Sequence, residues 1–290
     1  MRNNQVRYHK LHVNGLNVFY REAGDKNAPV ILLLHGYPTS SFMYRNLIPI
    51  LASQYHVIAP DLPGFGFSDA PDRNLYNYTF DNLALSMQGF IEVLQLKRFA
   101  IYVFDYGAPV GLRLALANKE KIRGIISQNG NAYEEGLSTA WDPLQKYWRQ
   151  PTEENRASLK GFMSLDITRF QYEHGVDDLS QLSPDTYTLD QYFLDLPGHL
   201  DIQLDLILDY RTNVALYPTF QAYFREQKPP ILAVWGNRDP YFLPEGANGY
   251  KRDNPDAIVK FYDTGHFALE THVEEIGNDI LSFLNDLSGE

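Results

Sequence analysis

The chain has no cysteine in its 290 residues. That absence removes disulfides, a thiol nucleophile and thiolate metal sites together, and it fits a reducing compartment. No apolar run approaches the ~20 residues that a membrane-spanning helix needs. Residues 1–13 hold no apolar stretch of the kind a secretory signal carries. The expectation is a cytoplasmic protein with no membrane partner. Positive charge is scarce: 25 Lys and Arg stand against 36 Asp and Glu, a formal net charge of −11. An acidic surface repels phosphate backbones, so no nucleic-acid partner is expected. His35, His174, His199 and His266 are scattered without ligand spacing such as H-E-x-x-H. No metal and no cofactor are therefore expected. Nothing in the sequence speaks to oligomeric state.

What is present is a large apolar fraction, 44%, with 20 Tyr and 17 Phe. It supports a substantial core, and the aromatics could also line an apolar pocket. The first part alternates strands with helices. Residues 11–13 and 16–20 read as a hairpin turned at Asn14-Gly15. Residues 30–34, VILLL, form a continuous apolar run, as in a strand buried on both faces. Residues 42–51 read as a helix, 56–59 as a short strand and 60–66 as a Pro/Gly-rich loop. Helical periodicity runs over 79–96, then come a buried strand at 99–104, a helix at 108–117 and a strand at 122–127. Such alternation predicts an α/β fold around a parallel sheet. From about Tyr133 to Tyr217 the alternation stops, leaving Trp141, Trp148 and amphipathic segments at 186–194 and 200–210. A structureless loop of that length does not suit a compact domain, so a helical insertion is predicted. Strands return at 230–235 and 257–262, and residues 271–287 read as a closing helix.

In an open parallel sheet, ligands bind beyond the carboxyl ends of the strands. The residues at those positions are His35-Gly36-Tyr37-Pro38, Asp105-Tyr106-Gly107, Asn129-Gly130, Asp239 and His266. An aspartate before a helix makes a good N-cap. Yet Val103-Phe104-Asp105-Tyr106-Gly107 follows a buried strand, and Gly107 and Gly111 allow a tight turn with close helix packing. That setting favours Asp105 as a nucleophile. Asp105, Asp239 and His266 follow the chain order nucleophile, acid, base of the α/β-hydrolase triad.

With these motifs the sequence resembles the α/β-hydrolase superfamily, specifically its aspartate-nucleophile branch of epoxide hydrolases and haloalkane dehalogenases. The likeness spans nearly the whole chain and is strongest over residues 29–130 and 230–285. It implies a mostly parallel twisted sheet with helices on both faces, built from residues 1–132 and 218–290, and an inserted helical cap at 133–217. It also implies Asp105 as nucleophile, Asp239 as the acid that orients the base, and His266 as the general base. Asn129 stands where some dehalogenases keep the acid and cannot carry the charge, which favours Asp239; Glu134 and Glu135 are weaker substitutes. The backbone N–H groups of Tyr37 and Tyr106 are the expected oxyanion donors. His35, Asp61 and Glu270 read as structural. Phe104 departs from the family, which usually has histidine there.

A carboxylate is ionised at neutral pH without help from a base. It suits displacement at a saturated carbon, giving an alkyl-ester intermediate that His266 and water then hydrolyse. The implied partners are a small apolar organic substrate and water. Dehalogenases of the family place a Trp after the nucleophile and an Asn or second Trp nearby; here those core positions hold Tyr106 and Tyr37, so the usual halide pair is missing. Epoxide hydrolases supply two cap tyrosines to the opening ring. Tyr210, in Asp209-Tyr210-Arg211-Thr212-Asn213, fits one, and Tyr172 is the best candidate for the other. Trp141 and Trp148 are expected to line the pocket or to bind halide from the cap. The leading expectation is hydrolysis of an epoxide to a diol. The rivals are a haloalkane or haloacid dehalogenase, an ester or lactone hydrolase, and a non-catalytic binding protein on the same fold.

Overall fold

A computed structural model describes residues 5–287. Eight strands form one sheet: β1 (Arg7–Val13), β2 (Leu16–Ala23), β3 (Val30–Leu34), β4 (His56–Pro60), β5 (Phe99–Phe104), β6 (Ile122–Gln128), β7 (Ile231–Gly236) and β8 (Ile258–Tyr262). Their spatial order is β1-β2-β4-β3-β5-β6-β7-β8. The β1–β2 and β2–β4 pairs are antiparallel and all the others are parallel. Asn14 and Gly15 both have positive φ, 50° and 85°, as a two-residue hairpin turn matched to strand twist requires. β1 begins four residues before its expected start. Its extra residues, Arg7 to Lys10, are mostly polar and exposed, so no apolar signal marks them.

The helices are α1 (Leu47–Leu51), α2 (Phe80–Val93), α3 (Gly107–Ala117), α4 (Asp142–Arg149), α5 (Glu153–Ser158), α6 (Leu165–Glu173), α7 (Pro184–Leu194), α8 (His199–Gln227), α9 (Pro244–Asp253) and α10 (Val273–Asp286). The single helix expected over 42–51 is instead a 3-10 turn, Ser41–Tyr44, followed by the short α1. Pro49 explains the break. A helix running from residue 42 would place it in the interior, against the preceding turn, whereas in α1 it lies in the first turn and needs no N–H donor.

Side chains along the central strands alternate between two apolar layers. Leu32, Leu34, Ile101 and Val103 pack on the side of α2 and α3. Ile31, Leu33, Ala100, Tyr102 and Phe104 pack on the side of α1 and α10. Helices therefore cover both faces, which is why β3 and β5 read as unbroken apolar runs.

Between β6 and β7 the chain leaves the sheet and forms α4 to α8. The expected boundary at 217/218 falls inside α8, a continuous helix of 29 residues with Pro218 within it. These helices reach over the carboxyl ends of the strands. One tie is the Tyr37 hydroxyl, which donates to the Phe162 carbonyl at 3.0 Å. Among the described residues no helix is long and apolar enough to cross a membrane.

Candidate active site

Asp105 sits at the sharp turn between β5 and α3 with φ +48°. A non-glycine residue in this region is uncommon, and such backbone strain clusters at functional sites. Two glycines let the turn form. A Cβ on Gly107 would collide with the Leu34 carbonyl oxygen, and one on Gly36 would collide with the Asp105 carboxylate itself. The carboxylate is buried, 7% exposed, and its Oδ1 accepts the Tyr37 N–H at 2.6 Å.

His266 follows β8 and is 1% exposed. Its Nδ1 bonds Asp239 Oδ2 at 2.7 Å, and its Nε2 stands 4.0 Å from Asp105 Oδ2. The carboxylate at Nδ1 assigns the proton to that nitrogen and leaves Nε2 as the basic face. Phe104 packs against the imidazole with ring centroids 4.6 Å apart, so the residue that departs from the resemblance places an apolar ring beside His266. The Gln128 amide donates to the His266 carbonyl at 3.2 Å, fixing the loop to the end of β6.

Asn129 has a part that the sequence did not disclose. Its Nδ2 donates to Asp239 Oδ2 at 2.7 Å, and its Oδ1 accepts the Gly236 N–H at 2.9 Å. The Tyr241 N–H donates to Asp239 Oδ1 at 2.7 Å. Both oxygens of Asp239 are thus held, which aims the imidazole. His35 Nε2 accepts the Leu62 N–H at 2.9 Å and Nδ1 faces the Gly36 carbonyl at 2.9 Å, while burial lowers its pKa. It is a neutral spacer between two loops. Asp61 accepts the N–H groups of Ser41 and Phe67 at 2.8 Å each, and Glu270 pairs with Arg45 at 2.6 Å; both are structural.

Burial pushes the Asp105 carboxyl up to about 6, against the opposing pull of His266 and the N–H groups of Tyr37 and Tyr106. Burial also disfavours charge on His266, but Asp239 and then Asp105 outweigh it and raise its pKa. Burial thus makes the Asp105 carboxylate easier to protonate than in water, though still ionised above about pH 6, beside a histidine that binds a proton readily.

A cavity of about 50 Å³ opens over Asp105 and His266, walled by Tyr37, Tyr106 and Tyr241 from the core and by Trp141, Phe162 and Gln171 from the insertion, among others. The expected pocket residues divide here. Tyr37, Tyr106 and Trp141 reach the wall. Tyr210 does not: it is fully buried, with ring centroids 5.8 Å from Tyr106, and its hydroxyl faces that of Tyr217 at 3.4 Å. Trp148 stacks on Tyr210 and is likewise off the wall. Tyr172 lies elsewhere, stacked on Phe267 at 3.8 Å with its hydroxyl on Asp190 Oδ2 at 2.5 Å. Both insertion indoles are committed: Trp141 donates to the Tyr241 carbonyl at 3.1 Å and Trp148 to the Ile207 carbonyl at 2.6 Å. Tyr241 and Gln171 carried no sequence signal, since neither lies in a motif. Among the described residues no cluster of three potential metal ligands occurs.

The profile of the alpha/beta hydrolase fold family matches residues 29–273. The chain is an α/β-hydrolase. It is 48% identical, over 97% of its own length and 98% of the other's, to an uncharacterized hydrolase of Saccharomyces cerevisiae. A haloalkane dehalogenase of Mycobacterium marinum is 40% identical over 116 residues, which cover 40% of this chain and 39% of that one. Among solved structures, a haloalkane dehalogenase from Bradyrhizobium elkani superposes with a TM-score of 0.78 at 22% identity, covering 98% of this chain and 99% of the other. An epoxide hydrolase gives 0.78 at 20% identity, covering 98% and 100%. The hydrolase therefore shares its fold with enzymes of both chemistries.

Proposed function

We propose that this hydrolase opens a small, neutral epoxide to a diol through an ester on Asp105. One observation carries the reading: the residue at the nucleophile turn is a carboxylate, with oxyanion-type N–H donors on one side and a carboxylate-oriented histidine on the other. In the first step an Asp105 oxygen attacks a ring carbon as the carbon–oxygen bond breaks. The ring oxygen takes a proton from a phenol. Tyr106 and Tyr241 are the phenols on the wall whose hydroxyls have no protein partner among the described residues. In the second step His266 Nε2 takes a proton from water and the hydroxide adds to the ester carbonyl. The oxyanion is held by the N–H groups of Tyr37 and Tyr106. Collapse frees the diol and restores the carboxylate, and the proton on His266 returns to the phenolate.

The partial likeness to a haloalkane dehalogenase favours a second reading, halide displacement by the same two steps. Against it, the indole N–H groups of Trp141 and Trp148 are already bonded to backbone carbonyls. A haloacid is disfavoured further, because no Lys or Arg lines the cavity to balance its charge. The test is the intact mass of His266→Ala after exposure to a panel of epoxides and haloalkanes. Addition of a whole epoxide to Asp105 supports the leading reading. Addition of an alkyl group with halide release supports the second. An unmodified Asp105 across the panel refutes both.

A further inference from the structure

The buried face of α6 carries three polar residues in order: Thr168, Gln171 and Tyr172. Two of them are spoken for within the insertion. Thr168 donates to Gln191 Oε1 at 2.8 Å, and Tyr172 donates to Asp190 at 2.5 Å. Gln171 differs. It is 4% exposed, it lines the cavity over Asp105, and its amide has no hydrogen-bond partner among the described residues. The neighbouring walls supplied by the insertion, Leu144, Phe162, Ile167 and Ile207, offer no side-chain polar group to it. The amide opens onto the cavity, where a primary amide can donate two hydrogen bonds and accept two.

We infer that Gln171 is a specificity-determining residue that binds a hydroxyl or carbonyl group on the substrate, so that the preferred epoxide is short and carries a neutral polar substituent next to the ring. The inference rests on the epoxide reading above. Three features define the substituent. The amide both donates and accepts, which suits a hydroxyl or a carbonyl. The Asp105 carboxylate faces the same cavity and no Lys or Arg lines it, which disfavours an anionic substituent. The cavity, about 50 Å³, holds roughly three to five water-sized spheres at ~10–15 Å³ each. That suits a molecule of a few heavy atoms.

Glycidol and 1,2-epoxybutane form a near-isosteric pair, one with a hydroxyl where the other has a methyl. Ring opening, to glycerol from the first and butane-1,2-diol from the second, is followed for the wild-type hydrolase and for Gln171→Leu. The wild type is expected to favour glycidol by about tenfold or more in kcat/KM, because a site built to hydrogen-bond a hydroxyl discriminates against the analogue lacking it. Gln171→Leu should lose that preference through a fall on glycidol, with 1,2-epoxybutane held within about threefold. Equal turnover of both substrates by the wild type, or an equal fall on both in the variant, would overturn the assignment of Gln171 while leaving the epoxide reading standing. Absence of ring-opened product from both substrates would remove the reaction itself and the inference with it.

Discussion

The Nε2 atom of His266 stands 4.0 Å from Oδ2 of Asp105, too far for a direct hydrogen bond, while Nδ1 of the same ring is held by Asp239 at 2.7 Å. In the proposed mechanism this spacing leaves Asp105 free to attack and lets His266 serve a water placed between the two. The pair is nonetheless coupled through charge, and this sets the pH dependence. Asp105 titrates at about 6, a value that a charged His266 helps to lower. Attack needs the carboxylate, so kcat/KM is expected to fall as pH drops through about 6. Removing the imidazole charge in His266→Gln takes away the lowering influence and leaves burial unopposed by it. The limb for ester formation, read by stopped-flow or quench and mass spectrometry, should therefore move above pH 6 in that variant. A limb unmoved or moved down would contradict the coupling.

The same burial makes Asp105 a source of instability. Its folded pKa, about 6, lies above the unfolded value near 3.8. Between those values the native state binds the proton more firmly than the unfolded chain, so stability falls as pH rises through the window of about 4 to 6 and the loss is complete above it. Asp105→Asn keeps an acceptor for the Tyr37 N–H and removes the charge. At pH 8 it should be more stable than the wild type by roughly 2–3 kcal/mol. The gain should vanish below about pH 4. Urea unfolding at the two pH values measures this, and an inactive but equally stable variant at pH 8 would contradict it.

Asn129 links the ends of β6 and β7 and supplies one of the donors to Asp239 Oδ2. Asp239 is 4% exposed, so water has little access to replace a lost donor. Asn129→Ala should cost about 1–3 kcal/mol of stability. It should also slow hydrolysis of the ester by roughly 10- to 100-fold, part of the 10²–10⁴ that a well-placed base supplies. Ester formation, which does not use the base, should stay within about twofold of wild type. Single-turnover measurement of the two phases separates these effects, and equal slowing of both would show general damage instead.

Asn129 also illustrates what a sequence conveys and what it withholds. The strand, turn and helix around Asp105 were legible because their signals are local: an apolar run, a carboxylate, and Gly107 and Gly111, which Leu34 and Val103 crowd. Asp239 and His266 were legible because parallel strands deliver their carboxyl ends to one edge of the sheet. The bond from Asn129 to Asp239 spans 110 residues of chain, and no spacing announces it. The insertion was harder still. Its helices could be expected from the lost alternation, but the direction of each side chain depends on how those helices pack. Tyr210 and Trp148 turned into an aromatic cluster behind Tyr106, whereas Gln171 turned onto the cavity wall.

Tyr172 gives the sharpest contrast with Gln171, its neighbour on α6. Sequence resemblance suggested Tyr172 for the pocket, but its ring lies flat on Phe267 and its hydroxyl donates to Asp190, a buried carboxylate on α7. Burial raises Asp190 to about 7, even with that donor and Thr39 pulling the other way. Tyr172→Phe keeps the ring stack and removes the donor. Above pH 7, where Asp190 carries charge, the variant should lose about 1–3 kcal/mol of stability. At pH 5, where the carboxyl is protonated, the loss should be smaller, because a neutral acid needs the phenol less. Turnover of glycidol and of 1,2-epoxybutane should stay within about twofold of wild type, since the phenol does not reach the cavity. Thermal unfolding at pH 5 and pH 8, together with the two kcat/KM values, distinguishes the roles. A stable variant with impaired epoxide turnover would return Tyr172 to the active site.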